Sequence, residues 1–282
     1  MTRSVRVRSL TARDRAETLA RLERAARLNL FLIDLALRLG EPVQAGRGRS
    51  ELLGAWRGEE IVGVASVQPS LVLDASAEPA ALAAFFPYLG TVASGLVKST
   101  ADVVAPLHRW LEDHGRQILL DRFEHAYALE PVGAKLPNAP RGLRVRSAEV
   151  GDLPALVEAS RASLLEEDRP DPTESDPAGF KRWVSGRVKQ AVVVEERGRV
   201  GFVGYADVRS PRGWLLQGVY TWPAFRRRGL ARAGVAELCR RAVADSAEHV
   251  QLAVVEGNVA AEALYERLGF VRFARLRTVL FT

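Results

Sequence analysis

From Leu143 onward, hydrophobic and polar positions alternate in short runs and then switch to a helical period. Leu143 to Arg146 alternates as a short strand, and Asp152 stands where it would cap a helix from Leu153 to about Leu165, with Pro154 suited to its first turn. EEDRPDPTESDP, Glu166 to Pro177, is a polar loop broken by prolines, and a helical stretch follows around Phe180 to Arg187. Ala191 to Glu196 and Val200 to Val208 read as a hairpin around Gly198, and Trp214 to Thr221 as a further strand. Ala231, Val235, Leu238, Cys239 and Ala242 then fall on one face of a helix from Leu230 to Asp245. His249 to Val255 is a strand, Val259 to Leu268 a helix, and Val271 to Phe281 closes the chain as one or two strands.

The first half echoes this plan. RVRS occurs at Arg6 to Ser9 and again at Arg144 to Ser147, an offset of 138 residues at which Asp14 also meets Asp152. AWRGEEIVGVASV (Ala55 to Val67) and VEERGRVGFVGYADV (Val194 to Val208) each read as strand, charged turn and strand. Between the halves, PVGAKLPNAPRG (Pro131 to Gly142) is rich in the residues that punctuate regular structure. The pattern predicts two related domains, 1–130 and 143–282, joined by a linker over 131–142.

Composition narrows the class. Of 282 residues, 48% are hydrophobic and 26% charged, as expected of a globular chain with a substantial core. The net charge of +6 comes from interspersed 40 basic and 34 acidic side chains, so charge does not by itself argue for nucleic acid. The lone Cys239 permits no intrachain disulfide and fits a reducing compartment. The first residues have no apolar signal region, and the apolar stretch Ala80 to Val97, broken by Pro87, Gly90 and Gly95, reads as core. A cytoplasmic protein with no membrane partner is expected; oligomeric state is not legible.

Two segments carry candidate chemistry. FRRRGLARAG, Phe225 to Gly234, has three readings: a basic patch for nucleic acid, a solvated face, or a phosphate loop. A strand ends before it and an amphipathic helix begins near Gly229, which favours the last. The first turn of a helix has unpaired backbone N–H groups and the positive end of the macrodipole, and glycine admits close approach. EGNVAAEALYERLGF, Glu256 to Phe270, reads as a helix capped by Asn258 and ended at Gly269, with Asn258, Ala261, Tyr265 and Leu268 along one face. Taken alone it is a well-capped core helix.

Together the two segments resemble the GNAT superfamily of acyl-CoA-dependent N-acyltransferases. RRRGLA is similar to its pyrophosphate loop, [QR]-x-x-G-x-[GA], and NVAAEALYERLGF to its closing helix, N-x-x-A-x-x-L-Y-x-x-L-G-F. The likeness covers about Leu143 to Phe281. LLQGVYTWPAFRRRGLARAG and the ending TVLF resemble a two-domain subgroup. The implied fold is α/β, of the α+β type: two tandem GNAT-like domains, each a mixed, largely antiparallel twisted sheet flanked by helices. The first half departs from the motif. SGLVKSTADVVAPLHRWLE, Ser94 to Glu112, stands where a phosphate loop is expected and has no such pattern, which implies a degenerate domain that binds no cofactor.

The resemblance implies acetyl-CoA as cosubstrate, with Arg226, Arg227, Arg228, Gly229, Leu230 and Ala231 at its pyrophosphate and Asn258 in contact. Val219, Tyr220 and Thr221 would pair with its pantetheine arm. Gly218 would mark a bulge presenting a backbone N–H to the thioester oxygen; close packing under Trp214 or Trp222 is the alternative. Tyr265 would give a proton to the departing thiolate. For the base, Glu166 and Glu167 border the acceptor side, where a solvated acidic loop is the other reading, and Gln217 could position a water. His108, His114, His125 and His249 form no metal-ligand or triad spacing, so no metal is expected. The expected reaction is transfer of an acetyl group to a primary amine of a small molecule or peptide by direct attack in a ternary complex. The alternative is a CoA-binding sensor or scaffold without turnover.

Overall fold

The computed structural model describes residues 4–41, 51–68, 70–90, 92, 95–130 and 132–282. Ser94 and Pro131, at the edges of two segments singled out above, lie outside the described residues. The elements in chain order are β1 (Val5–Ser9), α1 (Arg15–Leu22), α2 (Leu30–Leu37), β2 (Glu51–Arg57), β3 (Glu60–Gln68), β4 (Leu71–Val72), α3 (Pro79–Gly90), β5 (Gly95–Thr100), α4 (Ala101–Asp113) and β6 (Ile118–Leu129). There follow β7 (Leu143–Ser147), α5 (Leu153–Glu166), α6 (Pro172–Ser175), α7 (Pro177–Ser185), β8 (Ala191–Glu196), β9 (Arg199–Ser210), β10 (Gly213–Thr221), α8 (Leu230–Ala244), β11 (Val250–Val255), α9 (Val259–Arg267) and β12 (Val271–Phe281).

The chain divides into two compact units. The described residues of the first fall within Met1–Gln44, Gly48–Ala126 and Ala274–Thr282, and those of the second within Tyr127–Phe273. This differs from a division into 1–130 and 143–282. The end of β12 belongs to the first unit because it pairs antiparallel with β5, from Leu276 opposite Thr100 to Phe281 opposite Gly95, and buries Val279 and Phe281 among Leu71, Phe85 and Val97. Tyr127 and Leu129 join the core of the second unit. The segment expected as a linker also belongs there. Ala134 and Leu136 pack against that core, and Arg240 donates to the Pro137 carbonyl at 2.9 Å. A proline-rich strip has few N–H groups to satisfy, so it can lie on a helix without forming regular structure.

Within the first unit, β1-β2-β3 form one sheet and the order β4-β5-β12-β6 another; in the second unit the order is β6-β11-β10-β9-β8-β7. Antiparallel pairs dominate, but β4 runs parallel to β5 and β10 parallel to β11, each across one helix. This recurrence matches the two halves element by element. It also explains the RVRS echo. Arg8 donates to both oxygens of Asp14, at 2.9 and 2.7 Å, and Arg146 to both of Asp152, at 2.6 and 2.8 Å. Each aspartate also accepts a backbone N–H three residues upstream, from Thr11 or Glu149. Asp152 therefore makes no side-chain cap on α5; its carboxylate ties the preceding turn to β7. The Arg146 hydrogen bond, with that of Glu149, holds Asp152 below the ordinary carboxylate range.

Two apolar layers cover the second unit's strands. One side packs Phe202, Trp214, Leu216 and Leu252 against Leu230, Val235, Leu238 and Cys239 of α8. The other packs Val193, Val203, Tyr205 and Tyr220 against Leu156 and Ala159 of α5 and Phe180 and Val184 of α7. Arg197 and Gly198, at φ of 51° and 75°, form the two-residue turn that lets β8 and β9 keep their twist.

Candidate active site

β10 does not keep strand alternation along its length. Leu216 and Val219, three apart, both face the α8 layer, and Tyr220 faces the α5 layer. The inversion occurs at Gly218, at φ +56°, inside a register break between Gln217 and Tyr220 in the pairing with β9. This is a bulge that needs a left-handed residue. A Cβ on Gly218 would lie 3.0 Å from the Tyr205 ring rather than against Trp214 or Trp222. On its other edge, β10 pairs with β11 only at Trp214–Val250 and Leu215–Gln251. Beyond these the parallel register ends, and the edge from Leu216 to Thr221 has no strand partner on that side among the described residues. Val219 is half-buried, and Tyr220 and Thr221 pair with Val203 and Phe202 of β9 on the side opposite this open edge.

The loop after β10 turns through two left-handed residues, Arg227 (φ 63°) and Gly229 (φ 86°). Gly229 is the N-cap of α8, and no side chain caps that helix. The amides of Leu230, Ala231 and Arg232 open its first turn, where no intrahelical acceptor exists. A Cβ on Gly229 would come within 3.3 Å of Pro140. The three arginines are not equivalent. Arg226 donates from Nε to the Thr221 carbonyl at 2.9 Å and from Nη2 to both Glu166 oxygens at 2.7 Å. Arg228 pairs with Glu196 at 2.8 Å. Arg227 has no ion pair among the described residues.

Glu166 ends α5 and also accepts from the Tyr220 hydroxyl at 3.2 Å, so its carboxylate is engaged twice and exposed. Glu167 is the half-buried residue after it. Gln217 is exposed on β10 opposite Tyr205. Asn258 caps α9 by accepting from Ala261 N–H at 3.2 Å. Tyr265 is 5% exposed and packs edge-on against Phe270 at 5.7 Å, while its hydroxyl has no hydrogen-bond partner among the described residues. Burial, with Cys239 nearby, pushes that phenol well above its ordinary value, so it is a protonated donor at neutral pH.

One cluster beside the bulge is not legible in any motif. Arg187 donates from Nε and Nη2 to Asp207 at 2.9 and 2.6 Å, and its guanidinium lies 4.0 Å from the Tyr205 ring centroid. The Tyr205 hydroxyl shares a 3.2 Å hydrogen bond with Ser160 of α5. Three separate segments supply these four residues.

The first unit has an equivalent of the phosphate loop, one crossover earlier than Ser94 to Glu112. By element order it is the segment between β4 and α3, 73–78. Its amides are already taken. Asp74 and Glu78 N–H donate to Val64 and Val62 carbonyls, and Ala77 N–H to that of Asp74. Ala75 N–H donates to Asn29 at 2.9 Å, and Ser76 N–H to the Asp74 carboxylate at 2.8 Å. Asp74 is fully buried and also accepts from Arg21 and Asn29. The Asp74 carboxylate, Asn29 and neighbouring carbonyls thus occupy the N–H donors that an anion would need.

Comparison with known proteins bears on the fold. Residues 154–270 match the model of the Acetyltransferase (GNAT) family. A Drosophila protein of solved structure superposes with a TM-score of 0.74 at 15% identity, covering 98% of each chain. A GCN5-related N-acetyltransferase from Sphaerobacter thermophilus gives 0.61 at 18% identity, covering 98% of this chain and 95% of its own. A tandem GNAT protein from the clavulanic acid biosynthesis pathway gives 0.56 at 14% identity, covering 98% of each. No curated protein matches the chain in sequence. Residues 154–270 of the second unit thus resemble a GNAT domain, and the chain as a whole shares the fold of these GNAT-like structures. Among the described residues no group of three His, Cys, Asp or Glu could hold a metal ion, and no helix is long and apolar enough to cross a membrane.

Proposed function

We propose that the second unit transfers an acetyl group from acetyl-CoA to a primary amine of a small molecule or peptide, by direct attack in a ternary complex. The reading rests on one observation: an open edge of β10, created where its pairing with β11 stops, leads directly into an uncapped helix start at Gly229. Such an edge can pair with an extended amide-bearing arm, and such a helix start can hold a pyrophosphate.

When bound, acetyl-CoA supplies an activated acetyl group as a thioester. The amides of Gly229, Leu230 and Ala231 face its phosphates, with Arg227 and Arg228 adding charge. Val219, Tyr220 and Thr221 offer main-chain groups to its arm. The backbone at Gly218 is positioned by the bulge to face developing negative charge. The Tyr265 hydroxyl, neutral and without a partner among the described residues, would donate a hydrogen bond to the leaving sulfur. Because a phenol held above its ordinary value is a weaker acid than a thiol, Tyr265 stabilises that sulfur chiefly by hydrogen bonding. Glu166, engaged by Arg226 and Tyr220, acts as a positioning residue, and deprotonation of the amine falls to water ordered near Gln217 and Glu167. The test is acetyl-CoA-dependent thiol release over a panel of amines, with the acetylated product identified by mass. Tight CoA binding with no thiol release on any acceptor would leave a CoA-binding module instead.

A further inference from the structure

Arg187 has an edge that no described residue uses. Its side chain is 11% exposed and lies between the rings of Trp183 and Tyr205, 4.3 and 4.0 Å from their centroids. One edge of the guanidinium, Nε with Nη2, is filled by Asp207. The other edge, Nη1 with the second Nη2 hydrogen, has no acceptor among the described residues. Solvent reaches this edge, so an incoming acceptor can reach it too. That Nη2 lies 3.5 Å from where a Cβ would stand on Gly218, so the cluster adjoins the bulge. Gln217 is exposed beside it, and Trp183 is 47% exposed at its rim.

We propose that Arg187 reads a carboxylate on the acceptor, which makes the acceptor an α-amino acid or a similarly short amine bearing a carboxylate. A planar two-donor edge matches a carboxylate in geometry as well as charge. Asp207 holds the guanidinium in plane and occupies its opposite edge, so the unused edge has one orientation. A carboxylate seated there brings an α-amine beside Gly218, the position at which the acetyl group is transferred. The proposal rests on the acetyltransferase reading for its consequence but not for its test.

The test is binding followed through tryptophan emission. Glycine and alanine are titrated against their amides in the presence of CoA, with Trp183→Phe assigning the signal to the rim. The carboxylates are expected to bind about tenfold or more tightly than the amides. Arg187→Lys, which keeps the charge opposite Asp207, is expected to erase most of that ratio. Equal binding of acid and amide, binding of neither, or an unchanged ratio in Arg187→Lys overturns the proposal. If Arg187→Lys does not fold, the ratio in the wild-type protein decides alone. Selective binding of the acids with no acetyl transfer to any of them would uphold the Arg187 assignment and remove the enzymatic reading.

Discussion

Arg226 and Glu166 are joined by two hydrogen bonds of 2.7 Å from a single guanidinium nitrogen. The pair ties the end of α5 to the loop that opens α8. Both groups are nearly half exposed, so solvent screens the pair and its own contribution to stability is small. Its weight lies in competition, since Glu166 draws on the charge that phosphates would use. Glu166→Gln is expected to lower the KM for acetyl-CoA about two- to fivefold, with kcat and its pH profile little changed. A loss of kcat that tracks a missing titration would make Glu166 a base after all.

Tyr265 gives a sharper result. Its hydroxyl has no partner among the described residues, so Tyr265→Phe should leave the thermal midpoint nearly unchanged. Turnover is expected to fall about 100-fold or more. Burial holds the phenol above its ordinary value, and the protonated form is the donor, so activity that depends on it persists as pH rises and is lost only above about pH 10. An alkaline limb at lower pH, retained in the Phe variant, belongs to another group.

Gly229 combines a left-handed backbone with a neighbour at 3.3 Å. Gly229→Val forces a β-branched residue into that region, at a cost of about 1–2 kcal/mol or more, and moves the amides of the helix start. CoA affinity by calorimetry should fall below detection while the far-ultraviolet spectrum is kept. Arg227→Ala should weaken binding more than Arg228→Ala, because Arg228 already shares its charge with Glu196. Equal losses would mean the Glu196 pair opens when CoA binds.

The filled loop of the first unit predicts a stoichiometry. Calorimetry should return one CoA per chain. Asp74→Leu leaves Arg21, itself only 5% exposed, without its acid and should destabilise the protein by about 3–5 kcal/mol, visible as a lower urea midpoint. It should not alter the affinity of the single site. Two equivalents of CoA would show that the loop between β4 and α3 can open.

Glu124 of β6 adds a pH dependence. Burial opposes its ionisation, but Lys98 and Arg122 outweigh it and, with Thr278, bring its pKa down to about 2. The folded protein thus releases this proton more readily than the unfolded chain. The stability it confers is complete above about pH 5 and is lost as pH falls from there toward 2. Urea midpoints measured over that range should decline in the wild type and be flatter in Glu124→Gln.

The second unit is largely legible from sequence because its signals are local. Gly229 and Asn258 announce helix starts, Gly269 a helix end, and α8 shows its buried face by period alone. The misplaced first-half loop has a physical cause: β4 is only two residues long, too short to show alternation, so the eye passes to β5 and its helix. Asp152 resembles a cap because caps and turn-bracing aspartates share one position. Arg187, Asp207, Tyr205 and Ser160 carry no motif at all. They meet only once α5, the turn after α7 and β9 are folded, and no spacing along the chain encodes that meeting.

The placement of Ala274–Thr282 within the first unit sets the order of events during synthesis. A domain made first ordinarily folds first, while the ribosome extends the next. Here the first unit cannot gain Val279 and Phe281 until every strand of the second unit has been translated. The first unit is therefore begun before the second and completed after it, and deleting Ala274–Thr282 would damage the first unit rather than the second.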